Sequence, residues 1–294
     1  MDLTQTKTPE ALRNSSQQPW ELLRLEAVTK TYLTDGQPVH ALNGITLAVN
    51  RGHFVALVGR SGCGKSTLLN LGGAMDFPTT GQVLLDGVST AQLNDNGLTR
   101  LRREKVGFVF QSFQLLNTLT VLENVELPLL LAGEVKTRER ALRQLELVEL
   151  AGLDARMPHQ LSGGQMQRVA IARAMVHDPK LLLADEPTGN LDTQTGNLIL
   201  QLLRRIADEQ ETAILMATHS LEAAGMAEQR SVLGGQRLRP AVQHRLERLS
   251  EVLLEQALAT ARDFRMPVEN LLHPGGAGPR RPADEEQLAT RQRP

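Results

Sequence analysis

Residues 54–66 read FVALVGRSGCGKS, a five-residue apolar run followed directly by a glycine-rich loop. The apolar run is typical of a strand that is buried on both faces, as in a parallel sheet. The loop has the P-loop spacing, in which Gly59 precedes Gly64-Lys65-Ser66 by four intervening residues and a helical run follows. The stretch therefore predicts a strand–loop–helix unit that binds nucleotide phosphates. A chance glycine-rich turn, the alternative, would not explain the elements on either side.

The residues of this loop have distinct expected roles. Glycines allow backbone N–H groups to curve around anionic oxygens, and the following helix N-terminus adds partial positive charge. Lys65 can reach the β- and γ-phosphates, and the Ser66 hydroxyl can bind Mg²⁺. The residues that we expect to bind the nucleotide here are Gly59, Arg60, Ser61, Gly62, Cys63, Gly64, Lys65, Ser66 and Thr67.

A second apolar run, residues 181–186, reads LLLADE and ends in two carboxylates. At the end of a buried strand, Asp185 is placed to bind Mg²⁺ directly or through water. Glu186 is then the candidate that orients and activates an attacking water. A surface Asp-Glu pair at a strand end is the alternative, and the upstream P-loop argues against it.

Gln111 and His219 each follow a further apolar, strand-like run. Taken alone, Gln111 is explained by loop polarity, and a lone histidine is more often structural than catalytic. Ligands of doubly wound sheets bind at the carboxyl ends of the strands. We therefore expect Gly59, Gln111, Asp185 and His219 to meet at one edge of the sheet.

Strand-like runs alternate with helical patterns along the chain, which favours an α/β core. Residues 22–48 have a strand-like pattern with a turn signal at Asp35-Gly36, and residues 112–160 look mostly helical. Within that helical segment we predict a helix over Thr137–Leu150, with Gly152 as its C-cap.

The two ends of the chain differ from this core. We expect residues 1–19 to be a polar, disordered leader and residues 20–240 to be the folded domain. Residues 241–294 are a C-terminal extension, with an amphipathic helix over about residues 242–265 and a disordered tail beyond it. We expect the helix to pack on the core; regulation and partner binding are the alternatives.

Composition narrows the range of partners. The net charge of −1 and the 3% aromatic content give no basic or stacking surface, so we expect no nucleic-acid partner. The only cysteine, Cys63, excludes an intrachain disulfide and fits a cytosolic chain. We see no signal peptide and no apolar stretch near the roughly 18 residues that cross a membrane.

Residues 161–165 read LSGGQ and lie upstream of the strand that ends at Asp185. Ser162 followed by Gln165 has the spacing of a capping box, which predicts a helix from here to about Val176. Its N-terminus would present Ser162 and the N–H groups of Gly163 and Gly164 to an anion. An ordinary self-capping helix start is the alternative.

The order of these motifs resembles that of the ATP-binding-cassette (ABC) ATPases over about residues 20–240. The motifs in chain order are Tyr32, the P-loop, Gln111, Leu161 to Gln165, Asp185-Glu186, Asn190-Leu191-Asp192 and His219. The resemblance implies an α/β fold: a P-loop NTPase core with a parallel sheet, an N-terminal antiparallel β subdomain and an inserted helical subdomain at about residues 112–160.

The resemblance also implies roles for individual residues. Tyr32 would stack on adenine, and Gln111 would lie near Mg²⁺ and connect to a transmembrane partner. His219 would contact the γ-phosphate as a catalytic residue beside Glu186 and Gln111, and Asp192 would lie between subunits. The signature residues Ser162, Gly163, Gly164 and Gln165 would face ATP bound to a second copy of the chain. The implied cofactors are ATP and Mg²⁺, with Ser66, Gln111 and Asp185 at the metal.

Residues 185–192, DEPTGNLD, resemble the subgroup that serves lipoprotein release, macrolide efflux and bacterial cell division. This implies a peripheral ATPase on the cytoplasmic face of the inner membrane, paired with a permease for export or mechanotransmission. The alternatives are a regulator of a periplasmic process such as cell-wall remodelling, and a soluble ABC ATPase of DNA repair or translation. A P-loop kinase would lack LSGGQ. Ser220 and Glu228-Gln229 depart from the subgroup pattern.

Overall fold

The computed structural model describes residues 21–234 and 237–240. The predicted leader, C-terminal helix and tail therefore lie outside the described residues. The described strands are β1 (Glu21–Thr34), β2 (Gln37–Asn50), β3 (Phe54–Val58), β4 (Thr80–Leu85), β5 (Val88–Ser89), β6 (Val106–Val109), β7 (Leu181–Asp185), β8 (Ala213–Thr218), β9 (Gln229–Gly234) and β10 (Arg237–Pro240). The described α-helices are α1 (Lys65–Gly72), α2 (Asp95–Lys105), α3 (Val121–Leu131), α4 (Thr137–Leu147), α5 (Gly163–Met175), α6 (Thr193–Gln210) and α7 (Leu221–Ala224).

The larger sheet has the order β10-β9-β3-β8-β7-β6. Strands β9, β3, β8, β7 and β6 are parallel, and β10 pairs antiparallel with β9. Every residue of β3 and β8 is buried, as expected for parallel strands covered on both faces. The carboxyl ends of these strands consequently lie along one edge.

The smaller sheet is antiparallel and has the order β2-β1-β4-β5. Strands β1 and β2 form a hairpin, with the predicted turn at Asp35-Gly36. Between Lys30 and Thr31 the pairing with β2 is shifted, because Ala41 is an extra residue between Leu42 and His40. The two sheets confirm the expected P-loop α/β architecture with an antiparallel β subdomain.

Strand β3 separates two apolar cores. Phe54, Ala56 and Val58 face the core that contains residues of α3, α4, α5 and α6. Val55 and Leu57 face the other core, which contains residues of α1 and both sheets. Successive side chains of a strand point to opposite faces, so both cores hold the strand that carries the P-loop. Across residues 21–234, no helix combines the length and apolarity that crossing a membrane requires.

The helical segment contains α3 and α4, but residues 112–119 form turns and loop. The predicted helix over Thr137–Leu150 is too long, because α4 ends at Leu147. Glu149 adopts a left-handed φ of +60°, and the Leu150 N–H donates to the Leu145 carbonyl at 2.8 Å. This is a Schellman end with glutamate in the position that glycine usually takes. Burial of Leu145 and Leu150 stabilises it, and Gly152 lies in the turn that follows.

Candidate active site

The P-loop joins β3 to α1, and its backbone is shaped for an anion. Gly62 and Gly64 have φ values of +76° and +101°. A Cβ on Gly64 would lie 2.5 Å from the Ala41 carbonyl oxygen, so the hairpin leaves no space for a side chain there. Within the described part of the chain, the N–H groups of Gly64, Lys65 and Ser66 have no hydrogen-bond acceptor. Free N–H groups at a helix N-terminus form a phosphate-binding arrangement.

Lys65 is buried inside this loop, with 5% of its surface exposed. Its Nζ donates to the carbonyl oxygens of Gly59 at 2.9 Å and Arg60 at 3.2 Å. It also lies 3.4 Å from Glu186 Oε1. A buried ammonium needs such partners, and here they hold it at the mouth of the phosphate cradle.

Glu186 follows the last residue of β7 and bridges two other strand ends. Its Oε1 faces Lys65, and its Oε2 lies 3.0 Å from His219 Nδ1. The Glu186 N–H donates to the Ala217 carbonyl of β8 at 2.9 Å. The backbone of Glu186 has a φ of +46°, and strained positions of this kind cluster at functional sites. The structure thus brings Lys65 at the start of α1, Glu186 after β7 and His219 after β8 into one contact chain.

Gln111 lies two residues beyond β6 and contacts the loop after β7. The Asn190 side-chain amide donates to the Gln111 carbonyl at 2.9 Å, and Gln111 Nε2 lies 3.4 Å from Asn190 Oδ1. A Cβ on Gly189 would lie 2.6 Å from Gln111 Nε2, so a side chain there would displace the Gln111 amide. Asn190 belongs to a motif recognised in the sequence, but no sequence pattern predicted its contact with Gln111, because the two residues are 79 positions apart.

The three residues expected at a metal offer one carboxylate, one hydroxyl and one amide. Asp185 is half-buried at the end of β7, and Ser66 is exposed at the start of α1. No group of three or more His, Cys, Asp or Glu within the described ranges could hold a metal by itself. This donor set fits Mg²⁺, which is usually held by one or two carboxylates together with phosphate oxygens and water.

Tyr32 lies near the tip of the hairpin and reaches across to α1. Its hydroxyl donates to Asp76 Oδ2 at 2.9 Å and also contacts the Thr67 side chain. Burial, reinforced by the Asp76 contact, raises the pKa of Tyr32. Tyr32 as a whole residue remains 36% exposed, so part of it is accessible to a ligand. Sequence reasoning missed Asp76, because it lies in an irregular loop without a motif.

The LSGGQ segment begins α5 with the predicted capping box. Ser162 Oγ accepts from the Gln165 N–H at 3.3 Å, and Gln165 Oε1 accepts from the Ser162 N–H at 3.0 Å. The helix ends at Met175 with Val176 as its C-cap, as expected. Gly164 packs on Thr195, whose Cγ2 would lie 2.3 Å from an added Cβ.

Asp192 is the N-cap of α6, because its Oδ1 accepts from the Thr195 N–H at 2.9 Å. Hydrogen bonds from Thr195 hold the pKa of Asp192 below its ordinary value. Ser220 is likewise the N-cap of α7, because its Oγ accepts a hydrogen bond from the Ala223 N–H at 3.1 Å. The serine that departs from the subgroup pattern therefore still caps the helix after His219.

Six of the predicted residues line two separate clefts. Glu186, Asp192 and His219 line a cleft of about 280 Å³. Ser162, Gly164 and Gln165 line another of about 260 Å³. Among the described residues, no hydrogen bond or ion pair joins the LSGGQ segment to the P-loop. One chain therefore presents two half-sites.

A parallel sheet with a free-amide phosphate loop after β3, and carboxylates at the end of β7 with one strand between them, defines a P-loop nucleoside-triphosphatase. The sequence profile of the family described as "ABC transporter" matches residues 42–189. The chain belongs to this family, and it is the ATP-binding and ATP-hydrolysing component.

Close relatives support this membership. MJ0796 of Methanocaldococcus jannaschii, an ABC transporter ATP-binding protein, is 46% identical over 213 residues, which cover 70% of this chain and 91% of the relative. Its dimeric post-hydrolysis structure, bound to ADP and Pi, has a TM-score of 0.70 at 43% identity and covers 74% of this chain and 97% of that one. The lipoprotein-releasing ATP-binding protein LolD of Hyphomonas neptunium is 44% identical over 202 residues, covering 68% and 88%. The macrolide export ATP-binding/permease protein MacB of Brucella melitensis is 46% identical over 209 residues, covering 70% of this chain and 32% of MacB.

Proposed function

We propose that two copies of this chain drive an ABC transporter of the export or mechanotransmission type, on the cytoplasmic face of the inner membrane. The substrate class is a lipoprotein, lipid, peptide or drug. Relatives named for lipoprotein release and for macrolide export support this class. MacB is named as an ATP-binding and permease protein, which supports a membrane-embedded permease as the partner of this ATPase.

The observation that carries the ATPase chemistry is the contact chain from Lys65 through Glu186 to His219. Lys65 lies where it can neutralise the phosphates held by the P-loop. Glu186, fixed between Lys65 and His219, lies where it can accept a proton from a water aimed at the γ-phosphate. His219 holds that carboxylate and faces the same cleft, where it can contact the γ-phosphate.

The metal would be held by Ser66, Asp185 and Gln111, in accord with their donor chemistry. When bound, Mg²⁺ would supply positive charge that neutralises the negative charge developing during phosphoryl transfer. Gln111 is tied to Asn190 in the loop after β7. Movement of Gln111 with the permease would consequently be transmitted to the strand end that carries Asp185 and Glu186.

The second copy completes each site. Because Ser162 and Gly164 line a cleft separate from that of Glu186, the N-terminus of α5 is available to a nucleotide on another copy. Two chains arranged head to tail around a two-fold axis would then bury two ATP molecules. Asp192, which caps α6 beside Glu186, would lie at the contact between the copies. The dimeric state of MJ0796 supports the pairing of two copies.

Replacing Glu186 with glutamine tests the proposed chemistry. Loss of a general base costs about 10²- to 10⁴-fold in rate, while glutamine preserves the shape of the side chain. We expect hydrolysis to fall by that range, and magnesium and ATP to convert the chain into a stable dimer. Steady-state hydrolysis and light scattering measure the two effects.

The matched control for this experiment is Glu209→Gln, which neutralises an exposed carboxylate near the end of α6. The control should hydrolyse ATP at the parental rate and should accumulate no dimer. Hydrolysis by Glu186→Gln at the parental rate would refute the assignment of Glu186. Purification of the native complex without a membrane protein would refute the permease partner.

A further inference from the structure

We propose that Asp76 and Lys30 are positioning residues that hold the Tyr32 ring against the purine base of the bound nucleotide. This inference rests on the proposed ATPase function, together with the adenine-stacking role that the resemblance to ABC ATPases implies for Tyr32. Asp76 lies in the loop after α1, and Lys30 lies two residues before Tyr32 on β1.

One carboxylate joins the two other side chains. Asp76 Oδ2 accepts from the Tyr32 hydroxyl at 2.9 Å, and Asp76 Oδ1 accepts from Lys30 Nζ at 2.6 Å. Burial acts to raise the pKa of Asp76, but hydrogen bonds from Lys30, the Phe77 N–H group and Tyr32 outweigh it and lower the pKa. Asp76 is therefore an ionised acceptor at neutral pH, suited to fixing a hydroxyl donor.

Lys30 decides which face of the ring a ligand can use. Its Nζ lies over the Tyr32 ring, 4.8 Å from the centroid, at the distance of a cation–π contact. The same Nζ donates to the Phe77 carbonyl at 2.8 Å, so this carbonyl and the Asp76 carboxylate together fix the ammonium in place. With one face of Tyr32 covered, a base can stack only on the other.

The loop that carries Asp76 is fixed to the hairpin that carries Tyr32. The Thr79 N–H donates to the Thr29 carbonyl at 2.7 Å, and the Thr31 N–H donates to Thr79 Oγ1 at 3.0 Å. The hairpin also rests on the P-loop, where Ala41 approaches Gly64. The aromatic ring and the phosphate cradle are therefore held in one frame.

A simpler explanation is that Lys30 and Asp76 only fasten the hairpin to the loop. In that case their removal would lower the stability of the fold without a selective effect on the base. The two explanations are separated by comparing ATP with inorganic tripolyphosphate, which has the three phosphates but no base. Both affinities are measured on the full chain, with magnesium present, by titration calorimetry.

Tyr32→Ala removes the surface on which the base stacks, so it should weaken ATP binding about tenfold and leave tripolyphosphate binding unchanged. Tyr32→Phe keeps the ring but removes its link to Asp76. We expect Tyr32→Phe, Asp76→Ala and Lys30→Ala each to weaken ATP binding about threefold, with tripolyphosphate again unaffected. In the Tyr32→Ala background, Asp76→Ala should have no further effect.

The control is Asp86→Ala, which removes a carboxylate that lies in the turn between β4 and β5 and pairs with Arg51 and Lys105. It should leave the ratio of ATP to tripolyphosphate affinity unchanged. If Tyr32→Ala leaves that ratio unchanged, the base-stacking role in the proposed function is wrong. If Tyr32→Ala changes the ratio but Tyr32→Phe, Asp76→Ala and Lys30→Ala do not, the positioning role alone is wrong. Should Asp76→Ala fail to fold, Tyr32→Phe decides the question, because it removes a single oxygen atom.

Discussion

Replacing Gly64 with alanine probes how closely the hairpin rests on the phosphate loop. Gly64 has a φ of +101°, and an added Cβ would lie 2.5 Å from the Ala41 carbonyl oxygen and 2.9 Å from Leu42 Cδ2. Gly62 in the same loop has a φ of +76° with nothing within 4 Å of the added atom. The two substitutions therefore share backbone strain but differ in steric contact.

The structure supports an estimate for each substitution. A left-handed backbone costs alanine about 1–2 kcal/mol, which is partly offset by about 0.4–1 kcal/mol because alanine restricts the unfolded chain. Gly62→Ala should therefore lower the free energy of unfolding by about 1 kcal/mol. Overpacking against backbone adds about 1–3 kcal/mol, so Gly64→Ala should cost about 2–4 kcal/mol in total.

Urea unfolding of the nucleotide-free full chain measures both values. Gly36 lies at the hairpin tip, with a φ of +76° and nothing within 4 Å of an added Cβ. Gly36→Ala therefore measures the cost of left-handed backbone strain alone, at a position outside the P-loop. Gly36→Ala and Gly62→Ala should have the same free energy of unfolding, and Gly64→Ala should have a clearly lower one. Equal stabilities for Gly62→Ala and Gly64→Ala would show that the hairpin does not press on the loop.

Two further predictions concern charge. Lys65→Ala removes the ammonium from the phosphate loop and leaves Glu186 without that partner, so calorimetry should detect no productive ATP binding. The control Lys136→Ala, at an exposed position, should bind ATP normally. An unchanged affinity of Lys65→Ala for ATP would contradict the proposed role of Lys65 in phosphate binding. Burial acts to raise the pKa of Asp86, but Lys105 and Arg51 hold it below its ordinary value. A carboxyl with a lowered pKa stabilises the fold at any pH above its ordinary pKa, and this stabilisation is lost as the pH falls through the lowered pKa. Asp86→Asn should therefore cost about 1 kcal/mol of unfolding free energy near pH 7. The difference should shrink below about pH 4, and a constant difference in unfolding free energy down to pH 3 would contradict it.

Features that depend on neighbours in the chain were predictable. The strand–loop–helix unit around Gly59 and the capping box of Ser162 and Gln165 arise from residues a few positions apart. The positions of Asp185 and His219 followed from one rule, that parallel strands end at a common edge. The end of α4 was predicted wrongly, because burial of Leu150 ended the helix before the glycine was reached.

The sequence by itself determined the local elements and the family, since spacing and hydrophobic pattern act over short distances. Tertiary structure decided which separated residues meet. Lys65 and Glu186 come together only when β3 and β7 enter one sheet, and Asp76 reaches Tyr32 only when the loop after α1 folds onto the hairpin. These contacts depend on how sheets and loops pack, because distant residues leave no periodic trace in the sequence.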